Sequence, residues 1–480
     1  MISTAILSLL VISTSPSRQA VPNDGIDDGS YFRKAVTRAC ETDHLLKIPA
    51  GTFEISQEDG RLGGLNITNC SGLSIVGAGR SATRLRMVPR PMSLGDDYYL
   101  FNIDGGSADI EFTMLTLDGR RADFEATGST AEQVHLIRIF GAQRVDIHDA
   151  DLVDSIGAGV KAISLSDISV NNVRFRGHGR GGFEAHSNTT DVRLVGNSFM
   201  DIVDQHIAQE GGGGNSRWSI VANNHGRHGN GSFLVYDLGS GATDLTMVGN
   251  TLFDGGLQGY SLDRFSVVGN VFDQSQSDGG IPVYFKGRNR QGAFLGNVLR
   301  SQGTNNEVYA LRVASLDTNR DPHDLAIVGN VASHAANTGI HLVSGLGRLT
   351  VDANVVTSEA PGPSYGITVS NLLNLPQRAV TISDNAISNE SMGMAVTIGS
   401  CTNCSQDAIA ISGNVVHSTK PDAKGFYNQT STHYGIPYSN MCRGDGNVLD
   451  VFGPTWTKVG TVGTQPNDIE GCTQYGTTVP

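Results

Sequence analysis

Ionisable side chains are concentrated between residues 171 and 237, in the segments RFRGHGRGGFEAH, DIVDQHIAQE and NHGRHGNGSFLVYD. Five of the 13 histidines of the chain fall between residues 178 and 228. Histidine transfers protons near neutral pH, arginine binds carboxylates through paired donors, and clustered carboxylates bind cations. The region therefore predicts a site that binds a charged ligand and moves protons.

Alternation along the short apolar segments assigns these side chains to faces. In FEAH, Phe183 and Ala185 are expected to point inward, so Glu184 and His186 point outward. In the next copy of the pattern, the same phase turns Glu210 outward, beside His186. The sequence thus predicts an outward cluster of carboxylates and imidazole that spans neighbouring strands.

A calcium site is a second expectation for the same face. Glu184, Glu210 and Asp237 are predicted to stack on successive strands, with Tyr236 pointing outward just before Asp237. Carboxylates about 4.8 Å apart repel each other unless one is protonated or a cation lies between them. Since Ca²⁺ binds several carboxylate oxygens at once, these three residues are its predicted ligands.

Proton transfer and substrate binding require further basic groups on this face. Lysine is scarce, because only Lys161 and Lys286 occur between residues 48 and 419, both on predicted strands. The predicted proton-transferring residues are His186, His206, Tyr236, Lys161 and Lys286. The predicted substrate-binding residues are Arg176, His178, Arg180, His228 and Arg312.

These residues must be positioned by a repeat that runs along most of the chain. Short apolar alternations such as VRLVGN, LTMVGN and LAIVGN end in Asn, at spacings of 20 to 33 residues. The copies end at Asn197, Asn223, Asn250, Asn270, Asn297, Asn330, Asn354, Asn385 and Asn414, with weaker copies at Asp149 and Asn172. A constant strand with a variable period indicates one coil of strands per repeat, joined by loops of differing length.

A second apolar strand, such as SFLVYD, IPVYFK or TGIHLV, follows most copies without a helical stretch between them. This arrangement excludes βαβ units and predicts an all-β, right-handed parallel β-helix in which the recurring Asn side chains form a ladder. The 480 residues then form one rod rather than two or three domains, and many of the 60 glycines mark its corners.

The net charge of -13 makes the chain a poor partner for nucleic acid, and no polybasic segment suits an anionic membrane. The apolar run over residues 5–12 is too short to span a bilayer. It resembles the core of a signal peptide, so we expect residues 1–20 to be a signal and the protein to be secreted or periplasmic. The expected partners therefore include neither nucleic acid nor a membrane span.

Six cysteines, an even number, indicate disulfides in an exported chain. Four of the six follow residue 400, where the repeat fades. We therefore predict a disulfide-tied C-terminal cap over residues 421–480, after a β-helix with its N-terminal cap over residues 21–420.

The N-terminal cap is predicted to be a helix that Ser30 caps, with Phe32, Val36 and Ala39 on one face. The segments DGIDD at 24–28 and PAGTF at 49–53 resemble the opening of the pectate-lyase-like β-helix superfamily. The resemblance extends through the repeats over nearly the whole chain and implies the fold. It implies no single activity, because that superfamily includes lyases, hydrolases, epimerases and phage spikes.

Three motifs are similar to those of enzymes within that superfamily. The segment FEAHSNTTDVRLVGNSF is similar to chondroitinase-B-like alginate lyases, with Glu184 at the position of their calcium ligand. His186 stands where those lyases have lysine, and Gln209-Glu210-Gly211 replaces their R-H-G motif. The tripeptide GHG at 177–179 resembles polygalacturonases, without their paired aspartates on the preceding coil. The segment DPHD at 321–324 resembles a motif of mannuronan C5-epimerases.

Taken together, the resemblances and the basic face imply an enzyme that acts on an acidic, uronate-containing polysaccharide. The expected reaction is β-elimination, which makes the protein a polysaccharide lyase. Three alternatives remain open at this point: a glycoside hydrolase, a C5-epimerase-like enzyme, and a carbohydrate-binding or spike-like protein without activity. The sequence also leaves open the identity of the polymer and the choice between monomer and trimer.

Overall fold

The chain winds into a right-handed parallel β-helix with three strands in each full turn. The computed structural model describes residues 19–209, 217–229, 234–236, 243–274, 281–287, 289–302, 309–314, 323–334, 338–343, 347–358, 364–370, 377–389, 394–398, 406–418, 424–428, 437–438, 441–449 and 468–474. Each strand pairs in parallel with its counterparts in the turns before and after it. The predicted fold class is confirmed.

Three ladders of strands form the first, second and third faces, named in the order in which the chain visits them. The first face contains Leu45–Lys47, Ser74–Val76, Ala108–Thr113, Gln143–His148, Ser166–Asn171, Thr190–Val195, Arg217–Ala222, Thr246–Val248, Asp263–Val268, Arg290–Leu295, His323–Val328, Gly347–Asp352, Gln377–Ser383, Gln406–Ser412 and Pro437–Tyr438. The second contains Gly51–Ile55, Thr83–Met87, Thr116–Asp118, Asp151–Val153, Arg174–Arg176, Ser198–Ile202, His225–Gly229, Thr251–Phe253, Val271–Gln274, Val298–Ser301, Val331–His334, Val355–Ser358, Ala386–Asn389, Val415–Ser418, Met441–Leu449 and Asp468–Gln474. The third contains Gly63–Thr68, Asp97–Asp104, Gln133–Phe140, Val160–Ile163, Phe183–His186, Ile207–Gln209, Leu234–Tyr236, Leu257–Tyr260, Val283–Lys286, Tyr309–Ala314, Thr338–Val343, Tyr365–Ser370, Met394–Ile398 and Lys424–Asn428.

The interior of the coil is filled by the inward side chains of all three faces. Alternate residues of the strands are buried, as in Val160–Ile163, where Val160 and Ala162 have no exposed surface. Aromatic rings stack along the axis, with the centroids of Phe175 and Phe199 4.7 Å apart on successive turns. This continuous apolar column binds each turn to the next, and it leaves the polar side chains on the outside.

The predicted asparagine ladder lies at the corner between the first and second faces. It runs through Asn197, Asn224, Asn250, Asn270, Asn297, Asn330, Asn354, Asn385 and Asn414, all almost completely buried. Each backbone N–H donates to the next Oδ1 at 2.8–3.1 Å, and each side-chain Nδ2 donates to the same oxygen at 2.8–3.0 Å. The ladder thus satisfies buried backbone groups at a corner that no strand covers.

Three of the predicted ladder positions are wrong by one residue. Asp149, Asn172 and Asn223 have positive φ angles of 49°, 52° and 53° and precede the ladder position, which Ala150, Val173 and Asn224 occupy. In most other copies this preceding position is a glycine, such as Gly196 with φ 65°. Asparagine tolerates the left-handed backbone there, and this substitution shifted the apparent end of the motif.

The N-terminal end of the coil is covered by helix α1, Gly29–Glu41, which buries Phe32, Val36 and Ala39 as predicted. The helix begins two residues earlier than expected, with Asp28 rather than Ser30 at the N-cap position, and Asp27 Oδ1 accepts the Gly29 N–H at 2.9 Å. A disulfide joins Cys40 at its end to Cys70. A second short helix, α2 at Arg121–Ala126, lies between the second and third faces and buries Phe124.

The strand ladders continue past residue 421, where the repeat fades in the sequence, as far as Asp468–Gln474. Cys401 and Cys404 lie outside the described residues, as does most of the predicted signal peptide. Cys442 and Cys472 stand on paired strands. None of the described helices is long and apolar enough to span a membrane.

Candidate functional site

Strand pairing sets Arg138, Lys161 and Glu184 side by side on the third face, because each is the Cα partner of the next. The neighbouring Val160 and Phe183 fill the interior and have no exposed surface. The alternation of the strands therefore directs the three charged side chains to the outer side of this face. Once His186 and Arg180 are added, two arginines, one lysine, one carboxylate and one imidazole meet within three successive turns.

Glu184 is the centre of this group, although only 1% of its surface is exposed. Its Oε2 lies 3.6 Å from His186 Nε2, and its Oε1 lies 3.8 Å from Arg180 Nε. The Gly181 N–H also donates to Oε1 at 3.2 Å. Burial works to raise the pKa of Glu184, but His186 and Arg180 outweigh it and lower the pKa to about 2. We call Lys161, Arg180, Glu184 and His186 the Glu184 cluster.

Lys161 is held from the other side by the strand of the preceding turn. Its Nζ donates to Gln133 Oε1, and His135 Nε2 lies 3.1 Å from the same oxygen. His135 Nδ1 accepts the Ala158 N–H at 2.7 Å, so the ring is neutral and its Nε2–H donates to Gln133. Burial lowers the pKa of His135 to about 3. The Lys161 head group is thereby fixed by a neutral, buried network.

Arg138 extends the polar column towards the N-terminal end. Its NH1 donates to Asn102 Oδ1 at 2.8 Å and to Asp104 Oδ1 at 3.0 Å. Its guanidinium also lies 4.9 Å from the centroid of the Phe140 ring. Arg138, whose charge is matched by Asp104, marks the N-terminal edge of the site one turn before Lys161.

An open cleft of about 580 Å³ adjoins the cluster at the corner between the second and third faces. Arg121, Glu125, Glu132, Arg180 and Asp204 supply its charged walls. Burial raises the pKa of Asp204, although the Arg180 guanidinium opposes the shift. Arg180 faces both the cleft and Glu184, and it approaches Glu132 Oε2 at 3.4 Å. A ligand in this cleft therefore meets two arginines, Arg121 and Arg180, and the Asp204 carboxyl group with its raised pKa.

His178 and His206 do not reach the surface, so the roles predicted for them are corrected. Both rings are completely buried at the corner of the coil. His178 Nδ1 accepts the Ser155 N–H at 3.3 Å, which is a structural role for a neutral ring. Burial lowers the pKa of His178 to about 3 and that of His206 to about 4. Neither residue can contact a polymer that lies outside the coil.

Tyr236 does not share the register of Glu184. Strand pairing aligns Glu184 with Ala208 and Val235, whereas Tyr236 aligns with Gly259, in the column of the buried Ala185. Tyr236 therefore lies one register position away from the column of Glu184. Of the three predicted calcium ligands, Glu210 and Asp237 lie outside the described residues. Within the described part of the chain, no group of three His, Cys, Asp or Glu side chains is placed to hold a metal.

Two of the predicted binding residues lie on a different face. Arg176 and His228 belong to strands of the second face, Arg174–Arg176 and His225–Gly229. Arg176 is exposed there, across the corner from Lys161. Arg176 and His228 are thus separated from the Glu184 cluster, which lies on the third face. Lys286 and Arg312 do lie on the third face, several turns further along the coil.

The DPHD segment belongs to the first face. Asp321 and Pro322 lie outside the described residues, while His323 and Asp324 open the strand His323–Val328. Asp324 has a positive φ of 58° and accepts a hydrogen bond from Arg348 NH2 at 2.6 Å. That hydrogen bond lowers the pKa of Asp324. The same position in other turns also carries paired charges, as in Asp109 and Arg144, so a structural reason accounts for the motif.

Sequence reasoning missed Gln133, His135, Arg138 and Asp204. The signal for Arg138 was available, because the segment QVHLIRIF is a strand one turn before VKAI and Arg138 has the phase of Lys161. The positions of Gln133 and His135 depend on contacts between turns. Asp204 lies at a corner of the coil, and the alternation of inward and outward residues predicts side-chain directions only within strands.

Compared by sequence, the chain matches no protein-family model and no curated protein. Solved structures of similar fold include the A-module of mannuronan C-5 epimerase AlgE6 from Azotobacter vinelandii, 12% identical over 95% of this chain and 97% of that one, with a TM-score of 0.47. Tailspike protein 3 of bacteriophage CBA120 is 12% identical over 88% of this chain and 60% of that one, with a TM-score of 0.49. The catalytic domain of a GH87 alpha-1,3-glucanase in complex with nigerose is 13% identical over 88% and 69%, with a TM-score of 0.43.

Proposed function

We propose that the protein is an enzyme that acts on an acidic polysaccharide and cleaves it by β-elimination at a uronate residue. The observation that carries this proposal is the Glu184 cluster, in which a buried carboxylate holds His186 and Arg180 beside Lys161. The cluster borders an open cleft and combines a carboxylate-binding cation with two groups able to move protons.

We assign one step of the reaction to each of Arg180, Lys161 and His186. Arg180 binds the uronate carboxylate, which makes the hydrogen on C5 more acidic. The neutral amine of Lys161 removes that proton, and the electron pair forms the C4–C5 double bond as the bond from C4 to the glycosidic oxygen breaks. Protonated His186 gives its proton to the leaving oxygen. Glu184, too buried to touch the polymer, is a positioning residue that balances the charge of His186 and Arg180.

The test is incubation with several polyuronates, with ultraviolet absorbance of the unsaturated product as the signal. Lys161→Met should lower the rate by about 10²-fold or more, because a positioned base is worth roughly that much. Lys47→Met is the matched control, since Lys47 is exposed on the first face and far from the cleft. New reducing ends without absorbance, or isomerised sugars without cleavage, would overturn the lyase.

Hydrolysis is the second candidate, and Asp204 is the observation that favours it. The pKa values of Asp204 and Glu184 move in opposite directions, which is the pattern of an acid and an ionised carboxylate in one site. Asp204 lines the cleft, so it can protonate a glycosidic oxygen there. Asp204→Asn should abolish a hydrolase and leave a lyase that uses Lys161 and His186 active.

A further inference from the structure

Basic and aromatic side chains form a second group on the third face, beyond the Glu184 cluster. We call Tyr260, Tyr284, Lys286, Tyr309, Arg312 and His341 the basic strip. Cα pairing leads from Glu184 through Ala208, Val235, Gln258 and Tyr284 to Arg312, which is five turns away. At about 4.8 Å per turn, Arg312 lies about 24 Å from Glu184 along the same face.

Arg312 is held between two aromatic rings. Its guanidinium carbon lies 5.3 Å from the Tyr284 centroid and 5.1 Å from the Tyr309 centroid. Tyr309 in turn stacks on His341, with the centroids 4.5 Å apart and an interplanar angle of 20°. His341 Nε2 lies 2.8 Å from Ser370 Oγ, which fixes the far end of the stack. The guanidinium is therefore rigid before any ligand arrives.

Lys286 occupies the neighbouring turn in a similar way. Its ammonium lies 5.0 Å from the Tyr260 centroid and 6.0 Å from that of Tyr284. The Tyr260 hydroxyl donates to Gln258 Oε1 at 3.2 Å, so this ring is also anchored. Two cations thus stand on successive turns, each positioned by aromatic faces rather than by a carboxylate.

No acidic residue neutralises the strip within the described part of the third face. The segments 257–262, 281–287, 309–314, 338–343 and 364–370 contain neither Asp nor Glu. Several arginines on the other faces are paired, such as Arg174 with Asp151, Arg193 with Asp167, Arg264 with Asp244 and Arg300 with Asp273. Arg312 makes no ion pair with a described residue, and its buried Nε has no hydrogen-bond partner there.

We propose that the basic strip is a binding subsite for the carboxylate-bearing sugars of the same chain that enters the Glu184 cluster. Rigid cations that pair with no described carboxylate bind anions strongly, because no salt bridge among the described residues has to be broken and little side-chain entropy is lost. The rise of one turn is close to the length of one sugar residue, so successive uronates can meet Lys286 and Arg312. This inference rests on the proposed function for the direction and chemistry of the polymer.

The experiment measures binding rather than cleavage. Affinity electrophoresis is run in gels that contain sodium polygalacturonate, sodium alginate, dextran sulfate or neutral dextran, with each variant also carrying Lys161→Met. Arg312→Gln and Lys286→Gln should each weaken retardation by polyuronate about tenfold. Arg300→Gln is the matched control, because Arg300 lies in an adjoining strand of the second face and is paired with Asp273. This control should bind as the parent does.

Arg312→Lys shows whether a loss of binding is caused by misfolding rather than by the lost contact. It keeps the positive charge but loses the planar group that stacks between two rings. It should fold and bind with an affinity between those of the parent and Arg312→Gln. The inference is overturned if the parent and Arg312→Gln bind polyuronate equally well. It is also overturned if Arg300→Gln loses as much affinity for polyuronate as Arg312→Gln does. Stronger retention by dextran sulfate than by polyuronate would overturn the assignment to uronates. Binding that depends on the strip without cleavage of any polymer would overturn the proposed function alone.

Discussion

The Glu184 cluster and the basic strip lie on one face of the same coil, but they hold their cations by opposite means. In the cluster, Arg180 and His186 share a buried carboxylate whose pKa is lowered to about 2. In the strip, Lys286 and Arg312 rest on aromatic rings with no described carboxylate nearby. Neutralised cations are fixed in position but attract a distant anion weakly, whereas unneutralised cations attract it strongly.

This difference separates two tasks that a polymer-acting site has to perform. Bond breaking needs exact placement of a few groups, and the internal charge balance of the cluster supplies it. Holding a long charged chain needs net attraction spread over several turns, which the strip supplies. Both tasks use the same fold, because every turn contributes one outward position to each column.

The largest expected effect separates the two regions by kinetics. Lys161→Met should lower kcat by about 10²-fold or more with little change in KM, because Lys161 acts on the transition state. Arg312→Gln should raise KM several-fold and leave kcat unchanged, because the strip binds ground state and transition state equally. Initial rates over a range of polyuronate concentrations measure both constants. A fall in kcat for Arg312→Gln would join the strip to the chemistry and end the distinction.

A smaller effect is expected when the charge of Glu184 is removed without its shape. Glu184→Gln leaves His186 and Arg180 without their shared counter-charge, so kcat should fall about tenfold or more. Glu132→Gln is the matched control, since Glu132 approaches the same Arg180 from an exposed position and should change kcat less than twofold. An unchanged kcat in Glu184→Gln would reduce Glu184 to a structural residue.

The fold could be predicted from the sequence because its cause is local and repeated. Alternating apolar residues and a recurrent Asn specify a strand and a corner in every turn. The same logic failed at Asn223, where the residue that tolerates a positive φ resembles the ladder residue that follows it. A pattern of residue types cannot separate two positions that accept the same residue.

The candidate site was only partly predictable, and the histidines explain why. His178 lies between two glycines, which indicates an exposed turn, yet its ring turns inward and accepts a backbone N–H. The pairing of Arg180 with Glu184 depends on how the corner at residues 181–182 folds back on the strand. The basic strip depends on contacts between turns that are 26 to 32 residues apart in the chain, such as Lys286 with Tyr260 and Tyr309 with His341. Sequence alternation gives each residue a face but not its neighbours across turns.

A third prediction concerns stability, and it compares a histidine of the strip with one of the first face. Burial lowers the pKa of His341 to about 3, so below pH 6.5 the unfolded chain takes up a proton that the folded chain refuses. Stability is therefore lost as the pH falls from 6.5, by about 1.4 kcal/mol per pH unit for this residue. His341→Gln should make the fall in melting temperature between pH 6.5 and pH 5 less steep.

His148 provides the control of opposite sign. Burial opposes its protonation, but hydrogen bonds with Glu111 and Asp149 at 2.9 and 3.0 Å raise its pKa above the usual value. The stability that it contributes is present at low pH and is lost as the pH rises through its folded pKa. His148→Gln should therefore lower the melting temperature at pH 5 more than at pH 8. The same pH dependence for both variants would contradict the burial of His341 as a neutral ring.

The smallest expected effect is that of removing calcium. Glu184 already lies against His186 and Arg180, and a divalent ion bound there would meet the positive charge of the Arg180 guanidinium. We therefore expect chelation with EDTA to change the initial rate on polyuronate less than about twofold, because electrostatic balance at Glu184 comes from side chains. The matched measurement is the same titration on Glu184→Gln. The opposite outcome is that EDTA abolishes activity, which Ca²⁺ then restores in the parent but not in Glu184→Gln. That result would show that Glu184, Glu210 and Asp237 are metal ligands. The Glu184 cluster would then differ from the basic strip by binding a metal ion in addition to its internal ion pairs.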